Sequence, residues 1–136
     1  MSDNDFQIEL NYDRATGILR ATATGVLDFD RESCMQEFIR AMLEIVGGRE
    51  YHPAVPTIWD LRQLDFSRTN REQEERLVGI RERFPLRKDA RLAYVVGDDF
   101  AFGMVRMLDT LMDEQPERSN IFYDYQQAEH WLLTSG

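Results

Sequence analysis

The sequence predicts an α/β domain: a mixed five-stranded sheet, opened by an N-terminal β-hairpin and continued by βα repeats, with four helices. Two observations carry that expectation. Two strand patterns stand side by side at the amino end, Phe6 to Tyr12 and Ile18 to about Leu27. Short apolar runs then take turns with amphipathic stretches of helical period. Such alternation implies parallel strands joined by right-handed crossovers, while the hairpin forces one antiparallel strand at an edge.

Phe6, Ile8, Leu10 and Tyr12 alternate with polar residues, the pattern of a half-buried strand. Asp13-Arg14-Ala15-Thr16-Gly17 is a turn, and the strand after it is rich in Thr and Val. Asp28 and Asp30 open the first helix, in which Cys34/Met35, Phe38/Ile39, Met42/Leu43 and Ile45/Val46 recur every three to four residues. Gly47-Gly48 should stop it in the left-handed conformation that helix ends favour. A loop containing His52, Pro53 and Pro56 leads to the third strand, Ala54/Val55 through Leu61, apolar enough to be central.

Thr69-Asn70-Arg71-Glu72 matches a capping box with Thr69 as the cap, opening a helix to about Arg83 with Leu77, Ile80 and Phe84 inward and Pro85 beyond its end. Arg91 to Gly97 is the fourth strand. Asp98 or Asp99 caps a helix whose buried stripe is Ala101, Met104, Val105, Leu108, Leu111 and Met112, ending before Pro116. Asn120 to Tyr123 is the fifth strand. Asp124 caps a last helix that buries Ala128, Trp131 and Leu132.

A chain of 136 residues reads as one domain, residues 1–136, long enough to bury a full core. The net charge of -9 argues against nucleic acid and against an anionic membrane surface, both of which need Lys and Arg to meet phosphate. No apolar run approaches the ~20 residues of a membrane span, so membrane insertion is not expected. The single cysteine, Cys34, allows no internal disulfide. The acidic start, Met1 to Asp5, is unlike a secretory signal, and a cytoplasmic location is the expectation.

The element order, together with Trp59-Asp60-Leu61-Arg62, Asp98-Asp99, Phe102-Gly103-Met104-Val105-Arg106-Met107 and Ala128-Glu129-His130-Trp131-Leu132, resembles the SpoIIAA-like family. These small bacterial domains are relatives of STAS domains and share their fold broadly with CRAL-TRIO lipid-binding domains. The resemblance covers nearly the whole chain and implies a βα superhelical sheet and a cytoplasmic protein. In STAS anti-anti-sigma proteins a phosphorylated Ser follows this same third strand. Asn70 stands near that place here and Arg71 replaces the usual Gly, so the phosphoswitch is not carried over. Thr69, a neighbouring hydroxyl already explained as a cap, is the weak remaining phosphosite candidate.

Ligands of parallel sheets gather at the carboxyl ends of the strands. Asp28, Asp30, Asp60, Asp98, Asp99 and Asp124 all fall there, and most are explained as helix caps. Asp60 caps nothing, and Arg62 or Arg106 is its expected partner. Phe102 and Arg106 share a helix face, with Gly103 and Met107 on the flank. Gly in a helix costs about 1 kcal/mol against Ala, which suggests a close approach at Gly103. Phe102 either faces a partner or folds back over the sheet edge. The contact residues expected for ligand or partner are therefore Asp60, Arg62, Asp98, Phe102, Gly103, Arg106 and Met107.

His52 and His130 lack metal-ligand spacing, and Cys34 reads as a core thiol. Met35, Met42, Met104, Met107 and Met112 fall on helical stripes and read as packing. No catalytic, metal or cofactor motif is present. The favoured reading is a non-enzymatic regulatory or binding module acting through protein contacts, either with another protein or as a homodimer, the commonest assembly. The alternative is a carrier or sensor of a small apolar, lipid-like ligand near the carboxyl ends of the strands. An enzyme would need Asp60 to meet Asp98 or Asp99 in one pocket.

Overall fold

In a computed structural model of the chain, residues 5–48, 54–84, 90–111 and 118–134 are described. The elements run β1 (Gln7–Asp13), β2 (Ile18–Val26), α1 (Glu32–Gly47), β3 (Thr57–Asp60), β4 (Leu64–Asp65), α2 (Arg71–Arg81), β5 (Arg91–Val95), α3 (Asp99–Leu111), β6 (Arg118–Phe122) and α4 (Tyr125–Thr134). The sheet is ordered β1-β2-β3-β5-β6, with β4 paired to β2. β1 is antiparallel to β2, and every other pairing is parallel. The mixed sheet with an antiparallel edge and its four helices are as expected, and a sixth strand is added. That strand, β4, is two residues long, too short to leave a periodic trace in the sequence.

Strand order advances in one direction from β2 to β6. Right-handed crossovers therefore deliver α1, α2 and α3 to the same face, leaving α4 for the other. Side-chain alternation sends Ile8, Leu19, Ala23, Leu92 and Tyr94 into the larger core beneath α1, α2 and α3. Ile18, Ile58, Ala93 and Val95 face the opposite way, against Ala128 and Leu132 of α4. β3 and β5 are thus covered on both faces, which explains their unbroken apolar runs. Arg20 fastens the hairpin to α4: its guanidinium reaches Asp13 at 2.9 Å, Glu129 at 2.7 Å and the Tyr125 hydroxyl at 2.9 Å.

Several local expectations are corrected. Asp28 and Asp30 do not cap α1. The helix starts at Glu32, with Arg31 in the cap position and no side-chain cap bond. Asp28 Oδ1 instead accepts the Asp30 N–H at 3.0 Å, and Asp30 pairs with Arg76. α1 ends at Gly48 in an extended conformation, φ −60°, not a left-handed one. The cap of α2 is Asn70 rather than Thr69. Asn70 Oδ1 accepts the Gln73 N–H at 2.9 Å, and Gln73 Oε1 in turn accepts the N–H of Phe29.

Two glycines are required by backbone geometry. Gly17, φ 77°, closes the hairpin turn as expected. Gly25, φ 88°, lies so close to the Asp5 carbonyl that a Cβ would meet its oxygen at 2.1 Å. His52, Pro53, Pro85, Met112 and Pro116 lie outside the described residues.

Candidate functional site

β3, β5 and β6 end at a common border. The Leu61 N–H donates to the Val95 carbonyl at 2.8 Å and the Val96 N–H to the Phe122 carbonyl at 2.9 Å, so the three strand ends stay in step. Between the segment after β3 and the start of α3 lies a cleft of about 200 Å³, lined by Arg62, Asp65, Gly97, Asp98 and Phe100 among others. Phe100 is 56% exposed and Tyr123, just after β6, is 52% exposed, unusual values for large rings.

The charged groups of this edge are engaged one by one. Asp60 grips Arg62 as a fork, Oδ1 to Nε at 2.9 Å and Oδ2 to Nη2 at 2.8 Å. Bonding to Arg62 holds the Asp60 carboxyl below the usual carboxylate range, against the opposing pull of burial. The Arg62 guanidinium also stands 5.3 Å from the ring centre of Tyr125. Asp98 caps α3, its Oδ1 accepting the Ala101 N–H at 2.8 Å. Asp124 caps α4 through the Gln126 and Gln127 N–H groups at 2.8 and 3.1 Å. Asp99 accepts the Tyr123 hydroxyl at 2.7 Å, which raises the pKa of that phenol. Among the described residues no group of three or more His, Cys, Asp or Glu could hold a metal ion.

Of the residues singled out in the sequence, Arg62 and Asp98 line the cleft, and Asp60 adjoins it through its pair with Arg62. Asp60 takes Arg62 and not Arg106 as its partner. Phe102 does not stand beside Arg106 in solvent. It is half-buried, stacked on Tyr123 with ring centres 5.3 Å apart, and packed on the larger core. Arg106 and Gly103 are exposed and Met107 is half-buried. A Cβ on Gly103 would meet nothing within 4 Å, so the close approach expected there is not made within the chain. His130 is exposed, and Cys34 is buried with its thiol pushed up by that burial.

Phe100, Tyr123 and Tyr125 give the edge its aromatic character, and sequence reading misses them. The usable signal is at Phe100, an apolar residue off the buried stripe that shares a helical flank with Gly103 and Met107.

A second space lies within the larger core. It is a cavity of about 80 Å³ walled by residues of β1, β2, β3, β5 and all three covering helices. Its lining is apolar apart from a few groups. Thr57 bonds to the Val55 carbonyl and Arg81 to the Phe84 carbonyl. Thr69 Oγ1 and both carboxyl oxygens of Glu74 are buried with no hydrogen-bond partner. Glu74 is only 3% exposed, and burial pushes its carboxyl up to about 7. The Thr69 hydroxyl is shielded too. The helical period places Glu74 one turn before the buried Leu77 and Val78, but an acid on a helix is ordinarily solvated, so its type hides its burial.

No protein-family model matches the chain. No curated protein matches it. Solved structures do. An uncharacterised DUF3478-family protein with a SpoIIAA-like fold, from Shewanella loihica PV-4, is similar over 97% of this chain and 98% of its own, with TM-score 0.60 and 20% identity. An anti-sigma factor antagonist from Mycobacterium paratuberculosis is similar over 96% and 97%, with TM-score 0.64 and 14% identity. The strand order, the antiparallel edge and these two likenesses together assign the chain a SpoIIAA-like fold.

Proposed function

We propose that this domain is a non-enzymatic regulatory module that docks a protein partner on the carboxyl edge of its sheet and the adjoining flank of α3. The observation that carries this reading is Phe100 beside Gly103. A large ring is left in solvent next to a helical position with no side chain and no neighbour. Gly there costs the helix about 1 kcal/mol, and no contact inside the chain offsets it. Aromatic residues and Arg are enriched in interface centres, and Phe100, Tyr123 and Arg62 fit that composition.

Asp60, Arg62 and Asp98 flank the docking face, Met107 and Arg106 extend it along α3, and Phe102 supports Tyr123 from beneath. Asp65, Asp98, Asp99 and Asp124 make its rim acidic on a chain of net charge -9. Two such edges repel, so the rim fits a partner with an apolar centre and a basic border better than a second copy. The edge carboxylates are committed to caps and pairs, which favours contact over acid–base chemistry. One protein of the same fold is an anti-sigma factor antagonist, a role exerted through another protein.

A photo-crosslinking residue at position 106 of the full chain, exposed on the same helix, tests the reading, with one at the exposed Leu43 of α1 as control. The expected result is a discrete protein adduct from 106 alone, lost on Phe100→Asp and weakened by salt. Equal adducts from both positions, no adduct, or only a dimer of the chain would overturn it.

A further inference from the structure

We propose that the cavity between the sheet and helices α1, α2 and α3 is a binding site for a small primary amine with a short apolar body, its ammonium group held by Glu74 and Thr69. This site is separate from the docking edge, and its test does not depend on that reading.

The argument starts from unmet bonding. Glu74 is 3% exposed and Thr69 9%, and neither side chain has a hydrogen-bond partner, although both face the cavity. Buried polar groups are nearly always satisfied, so a group aimed unpaired into an empty space calls for something in that space. An ionised carboxylate only accepts bonds, and a threonine hydroxyl can accept as well. The head that suits both is a donor, and a primary ammonium brings three N–H groups and the opposite charge. Much of the desolvation of Glu74 is already incurred by the fold, so an incoming cation restores a partner to a carboxylate that lacks one.

The remaining wall sets the rest of the molecule. Phe38, Met42 and Ile45 from α1 and Met104, Val105 and Leu108 from α3 carry no charge. The other titratable side chains on the wall are Arg81, on the same helix as Glu74 and bonded to the Phe84 carbonyl, and Tyr94 of β5. A volume of about 80 Å³ holds roughly five to eight water-sized groups. That suits an amine of a few carbons better than a long lipid chain. Leu61, Leu64 and Phe66 line both this cavity and the surface cleft, and they mark the route in.

Burial has also poised Glu74 near neutrality, about 7, so binding of a cation should strengthen as the carboxyl ionises.

The test uses the full chain with Trp131→Phe, leaving Trp59 on the cavity wall as the single tryptophan, excited selectively over tyrosine. n-Butylamine is titrated at pH 8 and pH 6, with 1-butanol and butyrate as comparators. Expected is a saturable change with butylamine alone, about tenfold weaker at pH 6, where the ionised fraction of Glu74 falls by that factor. Glu74→Gln should abolish binding and its pH dependence, and Thr69→Val should weaken binding a few-fold while preserving shape. The proposal is overturned by no saturable response at the highest soluble concentration, the sign of a cavity that holds water only. Butanol or butyrate binding as well as the amine would also overturn it. So would butylamine binding that is unchanged in both variants.

Discussion

Trp59 and Tyr94 stand directly opposite each other in the parallel β3–β5 ladder, and both line the cavity beneath α1, α2 and α3. Their pairing fixes β3 and β5 as neighbours and puts the odd-numbered positions of β3 on the helix-rich face. It also ties the fold to the cavity, because the same two rings join strands and bound empty space.

Trp59→Ala should therefore cost more than its partial exposure suggests. Removing the indole deletes packing and enlarges a void already of about 80 Å³. Large-to-small changes of this kind cost roughly 3 kcal/mol or more. Urea unfolding followed by far-UV circular dichroism measures the loss. A cost below about 1 kcal/mol, the scale of an ordinary surface change, would mean the ring is not packed as described.

Asn70 and Thr69 are adjacent, yet their truncations should have opposite signs. Asn70→Ala removes the cap bond to the Gln73 N–H and should destabilise by about 1 kcal/mol. Thr69→Val keeps the shape and removes a buried hydroxyl with no partner, so it should be neutral or stabilising by up to about 1 kcal/mol. Thermal melts of the two variants decide it. A destabilised Thr69→Val beside an unaffected Asn70→Ala would restore Thr69 as the cap.

The architecture was legible because its signals are periodic. Ile58 and Val95 are buried on the α4 face and Trp59 and Tyr94 point the other way, and that double coverage is what an apolar run records. Asp98 and Asp124 were readable as caps because a cap acts on residues two or three further on. What escaped is what local pattern does not encode. β4 exists only because Gly25 and Val26 of β2 offer it an edge. Thr69 satisfied the capping rule on paper, but Asn70 satisfies it one residue later and leaves the hydroxyl facing inward. Glu74 shares a helical face with Leu77 and Val78, but an acid there reads as solvated, and the cavity it borders is walled by β1, β3, β5 and α3, remote in sequence.

Gly103 offers a prediction in which stability and contact part company. A Cβ meets nothing within 4 Å, so Gly103→Ala should stabilise α3 by up to about 1 kcal/mol through helix propensity alone. If the flank docks a partner closely, the same methyl should weaken that contact. Melting of the variant and crosslinking from a neighbouring exposed position, Arg106, measure the two effects. A stabilised variant with undiminished crosslinking would leave the glycine without a docking role.

The carboxyl of Glu74 makes stability depend on pH with a definite sign. Unfolded, it titrates near its ordinary 4.5, and burial raises it to about 7 in the fold. Below both values each state is protonated and the group contributes nothing. Between them the folded state keeps a proton that the unfolded state has released, so stability declines as pH rises. Above about 7 both states are ionised and the full penalty applies, on the order of 3 kcal/mol by the linkage constant. Glu74→Gln abolishes this dependence while leaving a side chain of the same shape. Urea unfolding of both proteins should therefore show the variant gaining on wild type from pH 4.5 to pH 8 by about that amount. A stability difference that stays constant across the range would show that Glu74 is solvated or paired, and would remove the physical basis for an unpartnered carboxyl in the cavity wall.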